Sequence, residues 1–245
     1  MLADDLSIAN HKRIFEICDL LEREKLNLKW TAVGRVNLVN EKLLRRMKSA
    51  GVDLIGFGIE SGSQKILDNI NKQVKVKTAA KAIILSKKLG FITICSFMIG
   101  NVGETRETVF ESVDFINKYL NTTIVFFLTT PYPETELFQY AEEHGLIKDK
   151  INLFENYGEQ GSKLLVNLTE MSDEELWALK HKAENAILKY YFKNHPVKGF
   201  IFLLKKLRLI LKMLIINFKE HGLKQVFGKN KSSIYKIRKK VLKIT

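Results

Sequence analysis

Strand-like and helix-like stretches alternate from residue 10 to about residue 145, and this alternation most constrains the fold. Four apolar stretches have the length and composition of β-strands, at residues 30–36, 54–59, 91–99 and 123–129. The third is apolar almost throughout, which predicts a strand buried on both faces. Strands separated by helices predict a parallel sheet with right-handed crossovers, and either a doubly wound sheet or a barrel satisfies that pattern.

The helices between these strands have recognisable ends. Asn40 is a suitable N-cap, and Gly51, Gly90 and Gly145 each follow a helical stretch, as helix-terminating glycines commonly do. A further helical segment is predicted to open after the Ser-Gly-Ser run at residues 61–63. The other predicted helices of this region cover residues 14–21, 40–50, 78–89, 105–119 and 134–144.

The rest of the chain differs in pattern and in charge. Residues 146–170 are predicted to be irregular, and a capping box at Ser172 begins a predicted helix that reaches about Asn194. Residues 196–245 hold 14 lysines and arginines and one acid, whereas the charges of residues 1–195 balance, so the tail carries the whole net charge of +13. We therefore predict three parts: a main domain at 1–145, an irregular segment with its helix at 146–195, and a basic tail at 196–245.

The cysteines and the first residues favour a cytoplasmic chain. Cys18 and Cys95 lie far apart in apolar, periodic segments, which predicts two small buried side chains. A disulfide framework would need more cysteines and an oxidising compartment. Residues 1–10 contain Asp4 and Asp5 and lack the basic and then apolar pattern of a secretory signal.

Ligands of parallel β-α proteins bind at the carboxyl ends of the strands, so these ends hold the candidates for chemistry. Glu60 directly ends an apolar strand and has small neighbours, which would let a ligand approach the backbone. Two interpretations suit this position equally well. Glu60 is a carboxylate that binds a ligand, or it is a negative charge that complements the dipole of the next helix at its N-terminus. Arg35 suits a strand-end ligand group or a surface ion pair, and Lys72 alone is typical of a solvated helix end. No G-x-G-x-x-G run follows a strand.

Four segments resemble, in order and spacing, those of the radical S-adenosylmethionine (SAM) superfamily, in the branch that often carries a cobalamin-binding domain. GIESGSQKILDNINK at Gly58–Lys72 resembles the region of that family's fourth strand. SFMIGNVGET and TTPYPETEL, beginning at Ser96 and Thr129, resemble its fifth and sixth strand motifs. Asp4-Asp5 with NHKRIFEICDLL resembles the segment after its second strand. The resemblance covers about residues 1–145. It implies an α/β fold, a partial (β/α) TIM-like barrel of about four parallel strands, followed by a helical basic extension.

In that family a 4Fe-4S cluster binds the methionyl end of SAM, and one electron cleaves the cofactor to a 5′-deoxyadenosyl radical. The resemblance implies that Glu60 contacts the methionyl or ribose part of SAM. It implies that Lys72 neutralises the SAM carboxylate or fixes neighbouring carboxylates, and that Tyr132 approaches the adenine or the substrate. Whether cobalamin is used stays open. The residues implied to bind the cofactor are Asp5, Arg35, Glu60, Ser61, Lys72, Ser96 and Tyr132.

The chain departs from the family at three places. It lacks the C-x3-C-x2-C loop of the cluster, and its two cysteines have the wrong spacing and settings to replace it. Val102 stands at a usual proline and Glu134 at a usual glycine, which changes turn stiffness. The missing loop implies a fragment of a longer enzyme, which we favour, or a half-barrel that needs a separate partner chain. Either form would expose strand edges and apolar faces, so we expect the isolated chain to aggregate or to be marginally stable.

The basic tail contains an amphipathic stretch, GFIFLLKKLRLILKMLIINFK, at residues 199–219. Its central cations oppose a membrane-spanning helix and favour a peripheral position at an anionic membrane surface. Packing on the barrel or on a partner is the first alternative. Nucleic-acid binding is the second, and the scarcity of aromatic residues for stacking on bases disfavours it. The cations that share one narrow helical face are Lys198, Lys205, Arg208, Lys212 and Lys219.

The resemblance implies a radical SAM enzyme, truncated here, that transfers a methyl group or abstracts a hydrogen atom. The tail suggests a lipid-like or otherwise hydrophobic substrate. A non-catalytic β-α protein that binds a membrane or a partner is one alternative. A tRNA-modifying relative is the other, although no RNA-binding β-barrel module is evident after residue 170.

Overall fold

The computed structural model describes residues 8–159, 162–202, 204, 207 and 208, and its central feature is a sheet of four parallel strands. The strands pair in chain order, each with the next. By its contacts the chain divides into two units, Met1–Tyr190 and Tyr191–Thr245, and the sheet belongs to the first. The division into three parts that the sequence suggested stays a prediction. The strands are β1 (Trp30–Gly34), β2 (Val52–Glu60), β3 (Ile92–Ile99) and β4 (Phe127–Leu128).

Helices precede, connect and follow these strands. Asn40 caps the second helix as predicted, because its side-chain oxygen accepts a hydrogen bond from the Leu43 amide. Thr105 caps the fifth through a reciprocal capping box with Thr108. The helices are α1 (His11–Arg23), α2 (Glu41–Ser49), α3 (Gln64–Asn69), α4 (Val76–Lys88), α5 (Arg106–Phe115), α6 (Glu136–Glu143), α7 (Lys150–Glu155) and α8 (Asp173–Asn194).

One face of the sheet forms the core of the first unit. Ala32, Phe57, Phe97 and Leu128, one from each strand, are buried on this face. The apolar sides of α1, α2, α4, α5 and α8 belong to the same buried cluster. Helices on a single face, with strands in sequential order, are what a segment of a (β/α) barrel shows, whereas a doubly wound sheet carries helices on both faces. The predicted α/β partial barrel is therefore confirmed.

The opposite face of the sheet is open, and it corrects the prediction for the third strand. Ile92 and Ile94 of β3 are 62% and 53% exposed, so this strand is buried on one face and not on both. Its apolar sequence reflects two apolar faces of which only one is covered. Because partners in a parallel ladder point to the same side, the register defines this open face. Its members are Val33, Gly56, Gly58, Ile92, Ile94, Ser96, Met98 and Phe127.

Two further predictions need correction. The fourth strand is shorter than predicted, because only Phe127 and Leu128 pair with β3 within the predicted 123–129. The predicted irregular stretch at 146–170 contains the short helix α7, whose N-cap Asp149 accepts a hydrogen bond from the Asn152 amide. This helix escaped detection because it is only six residues long and buries a single residue, Leu153. In the described part of the chain, no helix has the length and hydrophobicity needed to cross a bilayer.

Candidate functional site

The carboxyl end of β2 is distorted at Glu60. The pairing of β2 with β3 shifts register between Gly58 and Glu60, which marks a β-bulge. Glu60 itself has a φ of +69°, in the left-handed region that a residue with a side chain rarely adopts. Bulges and left-handed residues of this kind redirect a side chain, and they concentrate at functional sites.

The redirected carboxylate pairs with Lys72. Nζ of Lys72 donates a hydrogen bond to Oε1 of Glu60 at 2.8 Å, and both side chains are about one-fifth exposed. The carboxylate occupies the space beside Gly58: an ideal β-carbon at that position would lie 2.5 Å from Oε1 of Glu60 and 3.4 Å from Nζ of Lys72. Glycine at position 58 therefore allows the ion pair to lie against the open face.

A network of hydrogen bonds fixes the loop that carries Lys72. Residues Asn71 and Gln73, on either side of it, both have positive φ angles. The guanidinium of Arg35, just after β1, donates to the carbonyl oxygen of Lys72 at 2.5 Å. Gln64 of α3 accepts a hydrogen bond from the amide of Val76, the first residue of α4, where the loop ends. Arg35, just after β1, thus contacts the loop that carries Lys72, and Lys72 in turn contacts Glu60 at the end of β2.

Ser96 joins this group from the third strand. Its register partner in β2 is Gly58. Ser96 therefore lies on the open face, next to the space beside Gly58 that the Glu60 carboxylate occupies. The site therefore contains a carboxylate, an ammonium group and a hydroxyl around one glycine. The Nε atom of Arg35, buried without a hydrogen-bond partner among the described residues, adds a potential donor. Such a set can bind a ligand that carries both a cationic and an anionic group.

Two of the remaining predicted residues, Ser61 and Tyr132, have their described contacts with other residues. Ser61 is fully buried, with Oγ 3.2 Å from Oγ of Ser112 in α5, and it accepts a hydrogen bond from the Ser63 amide. The contacts of Ser61 thus connect the turn between β2 and α3 to α5. Tyr132 lies after β4, where its ring stacks on Tyr157 with centroids 4.8 Å apart. Asp5 lies outside the described residues.

Glu104, at the end of β3, was missed by the sequence reasoning. Its Oε2 accepts hydrogen bonds from the amides of Gly100 and Asn101, at 2.5 and 3.1 Å, so the acid closes its own loop. Thr129, after β4, donates to Oδ1 of Asn101 at 2.9 Å and ties the two strand ends together. Burial raises the pKa of Glu104 to about 7. The hydrogen bonds from the two amides lower this pKa, but the effect of burial is larger. The available signal was an acid five residues after an apolar strand, in a loop with two glycines.

The described residues do not fit an iron–sulfur cluster. Cluster ligation needs cysteine thiolates, and the chain has two cysteines, both buried in the core. Cys95 lies on the buried side of β3, away from the open face, and burial raises its pKa to about 12, which keeps the thiol protonated. Burial likewise raises the pKa of Cys18. Within the described residues no group of three histidine, cysteine or acidic side chains is placed to hold a metal ion.

Comparison with known proteins matches the region that contains this site. The sequence pattern described as the radical SAM superfamily matches residues 5–116. A protein of Pyrococcus horikoshii described as an uncharacterized methyltransferase is 38% identical over 144 residues, which are 59% of this chain and 31% of that protein. An anaerobic magnesium-protoporphyrin IX monomethyl ester cyclase of Rubrivivax gelatinosus is 30% identical over 157 residues, covering 63% of this chain and 27% of that protein.

The chain spans less than a third of the length of these two relatives. Among solved structures, the radical SAM methyltransferase TsrM from Kitasatospora setae, with cobalamin and a [4Fe-4S] cluster bound, is similar with a TM-score of 0.49 and 19% identity. That similarity covers 58% of this chain and 29% of TsrM.

Proposed function

Because residues 5–116 belong to the radical SAM superfamily, we propose that the chain supplies the SAM-binding strand ends of a radical SAM enzyme. The observation that carries the proposal is the ion pair of Glu60 and Lys72, held at 2.8 Å on the open face where β2 ends. The relatives named a methyltransferase and a cyclase support a reaction of one of these two types. The substrate is a separate question, for which the tail suggests a hydrophobic molecule.

The charges of the site match the methionyl end of SAM. That end carries an ammonium group and a carboxylate, and Glu60 and Lys72 offer one charge of each opposite sign. Glu60 would accept from the ammonium, and Lys72 would donate to the carboxylate, so the pair preserves its charge balance when the ligand binds. Arg35 holds the Lys72 loop through the Lys72 carbonyl oxygen, and Ser96 lines the same surface. When bound, SAM supplies the methyl group or the radical precursor that the family uses.

The open face points to a further partner, which we propose is the remaining half of the barrel. Val33, Ile94 and Phe127 are between 37% and 53% exposed on this face, and such side chains normally lie inside a closed barrel. The cluster cysteines would come from that half, since this chain does not contain them. A cobalamin-binding domain is a proposal on the family resemblance alone. A third proposed partner is an anionic membrane surface, which the basic, amphipathic tail would bind.

Titration calorimetry with SAM tests the proposal on the chain and on a version extended upstream. We expect Glu60→Gln and Lys72→Met each to weaken SAM binding by roughly 10- to 100-fold, the range for a hydrogen bond to a charged group. Asp53→Asn is the matched control. It removes an acid of the same strand that pairs with Lys29 and Lys48 at the opposite end of β2. Equal affinities for Glu60→Gln and the wild type would remove Glu60 from the site.

A non-catalytic β-α protein is the second candidate. The observation that favours it is the absence of a cysteine triad from the sequence, together with the two buried, protonated thiols. It predicts no SAM binding in either form of the chain, so the same titration separates the two candidates.

A further inference from the structure

A helical segment after α8 exposes a stripe of apolar side chains. Residues 196–202, 204, 207 and 208 are helical. Five large or branched apolar side chains of this segment are between 46% and 71% exposed, and their spacing places them along one side of a helix. These residues, the apolar stripe, are Val197, Phe200, Ile201, Leu204 and Leu207.

The other side of the segment holds it against the end of α8. The rings of Phe192 and Phe202 lie with centroids 5.1 Å apart. Gly199 is buried against the Phe192 side chain, and an ideal β-carbon at this glycine would lie 3.0 Å from the ring. Among the described residues of the second unit, packing therefore uses the side that faces Phe192, and the apolar stripe on the other side is exposed.

The segment that carries the apolar stripe also carries positive charges. Lys198 and Arg208, near the two ends of the described segment, are both exposed. In the sequence the cations continue through residues 205, 206 and 212, and Glu220 is the single acid from residue 196 to the C-terminus. A surface that combines a row of apolar side chains with cations and almost no acids complements a partner that is anionic at its boundary and apolar just beneath it.

We infer that this segment docks on an anionic lipid surface. The apolar stripe would lie at the boundary between headgroups and acyl chains, with Lys198 and Arg208 at the lipid phosphates. A nucleic acid would satisfy the cations and leave the aliphatic members of the stripe uncovered, because bases bind aromatic platforms. This inference is independent of SAM binding. It would bring the barrel to a membrane face.

Vesicle co-sedimentation of the full chain tests the inference. The probes are phosphatidylcholine vesicles with and without phosphatidylglycerol. We expect the chain to sediment with the anionic vesicles and to remain in the supernatant with the neutral ones. Leu204→Glu should lower the partition coefficient on anionic vesicles at least about tenfold. It removes one apolar side chain that the bilayer would bury, and it adds a negative charge that the anionic lipids repel.

Ile151→Glu is the matched control. Ile151 in α7 is also an exposed aliphatic residue, but it lies outside the stripe, so this variant should bind vesicles as the wild type does. Equal binding to both kinds of vesicle, or unchanged binding of Leu204→Glu, would overturn the inference. Single-stranded RNA that displaces the chain from vesicles and still binds Leu204→Glu would also overturn it and identify a nucleic-acid partner. SAM affinity should be the same for Leu204→Glu and the wild type, which separates this result from the proposed function.

Discussion

Glu60 places its carboxylate where any side chain at position 58 would have to lie. An ideal β-carbon at Gly58 would be 2.5 Å from Oε1 of Glu60, closer than real β-carbons approach other atoms. The Glu60 backbone has a positive φ and follows a bulge, so the chain bears local strain to aim this carboxylate. The position of the Glu60 carboxylate therefore depends on the glycine at position 58. Adding one methyl group there, by Gly58→Ala, tests this dependence.

Gly58→Ala should displace the Glu60 carboxylate and weaken SAM binding at least about tenfold, the loss expected for a charged hydrogen bond. The free energy of unfolding should change by less than about 1 kcal/mol, because the displaced atom is the end of a flexible side chain. Calorimetry with SAM and urea unfolding give the two quantities.

Gly56→Ala is the control for this change. It adds the same methyl group to the same strand and face, and its nearest neighbour would be Cγ2 of Val33 at 3.4 Å, an ordinary contact. SAM affinity that falls equally in Gly56→Ala and Gly58→Ala would contradict a specific role for the space beside Gly58.

Glu104 should make stability fall as the pH rises. Its pKa is about 7 in the folded chain and near 4.5 when exposed, so the folded form binds the proton more tightly. The resulting stabilisation is complete below pH 4.5 and is lost as the pH rises through about 7, by about 3 kcal/mol in all. Glu104→Gln should flatten this part of the profile, which urea unfolding at a series of pH values measures.

Glu107→Gln provides the comparison, because Glu107 is exposed in the first turn of α5 and its pKa is lowered by its own backbone amide and by Thr105. Its profile between pH 5 and 7 should follow that of the wild type. A Glu104→Gln profile that also follows the wild type would show that Glu104 is not protonated in this range.

The open face should make the isolated chain associate with itself. Ile94→Lys should reduce association in sedimentation velocity experiments, because it places a charge on this face. Ile84→Lys is the control: Ile84 has the same 53% exposure and lies on α4, a helix on the other side of the sheet. A sharp, reversible melting transition of a monomeric wild-type chain would contradict this expectation.

Replacing Glu134 with glycine should stabilise the protein. It is exposed and has a φ of +65°, a left-handed conformation that glycine adopts without steric cost. Glu134→Gly should raise the free energy of unfolding by about 0.5–1 kcal/mol, since the relief of strain exceeds the entropy cost of glycine. Gln139→Gly, in the exposed middle of α6, should lower it by a similar amount, and destabilisation by both changes would be the contrary result.

The parallel sheet, most of its helices and the position of Glu60 at a strand end could be predicted from the sequence because they depend on local patterns. The apolar run of β3, the cap at Asn40 and the acid at a strand end are each visible within a few residues. Arg35 and Lys72 were candidates by family resemblance, but their joint role depends on a bond between residues 37 positions apart.

Other features depend on tertiary structure, and local patterns were not enough to predict them. β3 has two apolar faces in sequence, and only the placement of the helices decides that Ile92 and Ile94 stay exposed. The burial of Glu104 depends on the backbone amides of Gly100 and Asn101, which the sequence presents as an ordinary polar loop. Ser61 lies beside Glu60 in the chain, yet its side chain contacts α5, because neighbouring residues of a strand end point to opposite sides.

The central claim is that this chain supplies SAM-binding strand ends and lacks the cluster ligands. The most direct test is to measure iron, acid-labile sulfide and SAM binding after anaerobic reconstitution, on the chain and on a version extended upstream to include a cysteine triad. We predict SAM binding in both forms, tighter in the extended one, and a cluster in the extended form alone. No cluster and no SAM binding in either form would contradict the account and favour a non-catalytic protein.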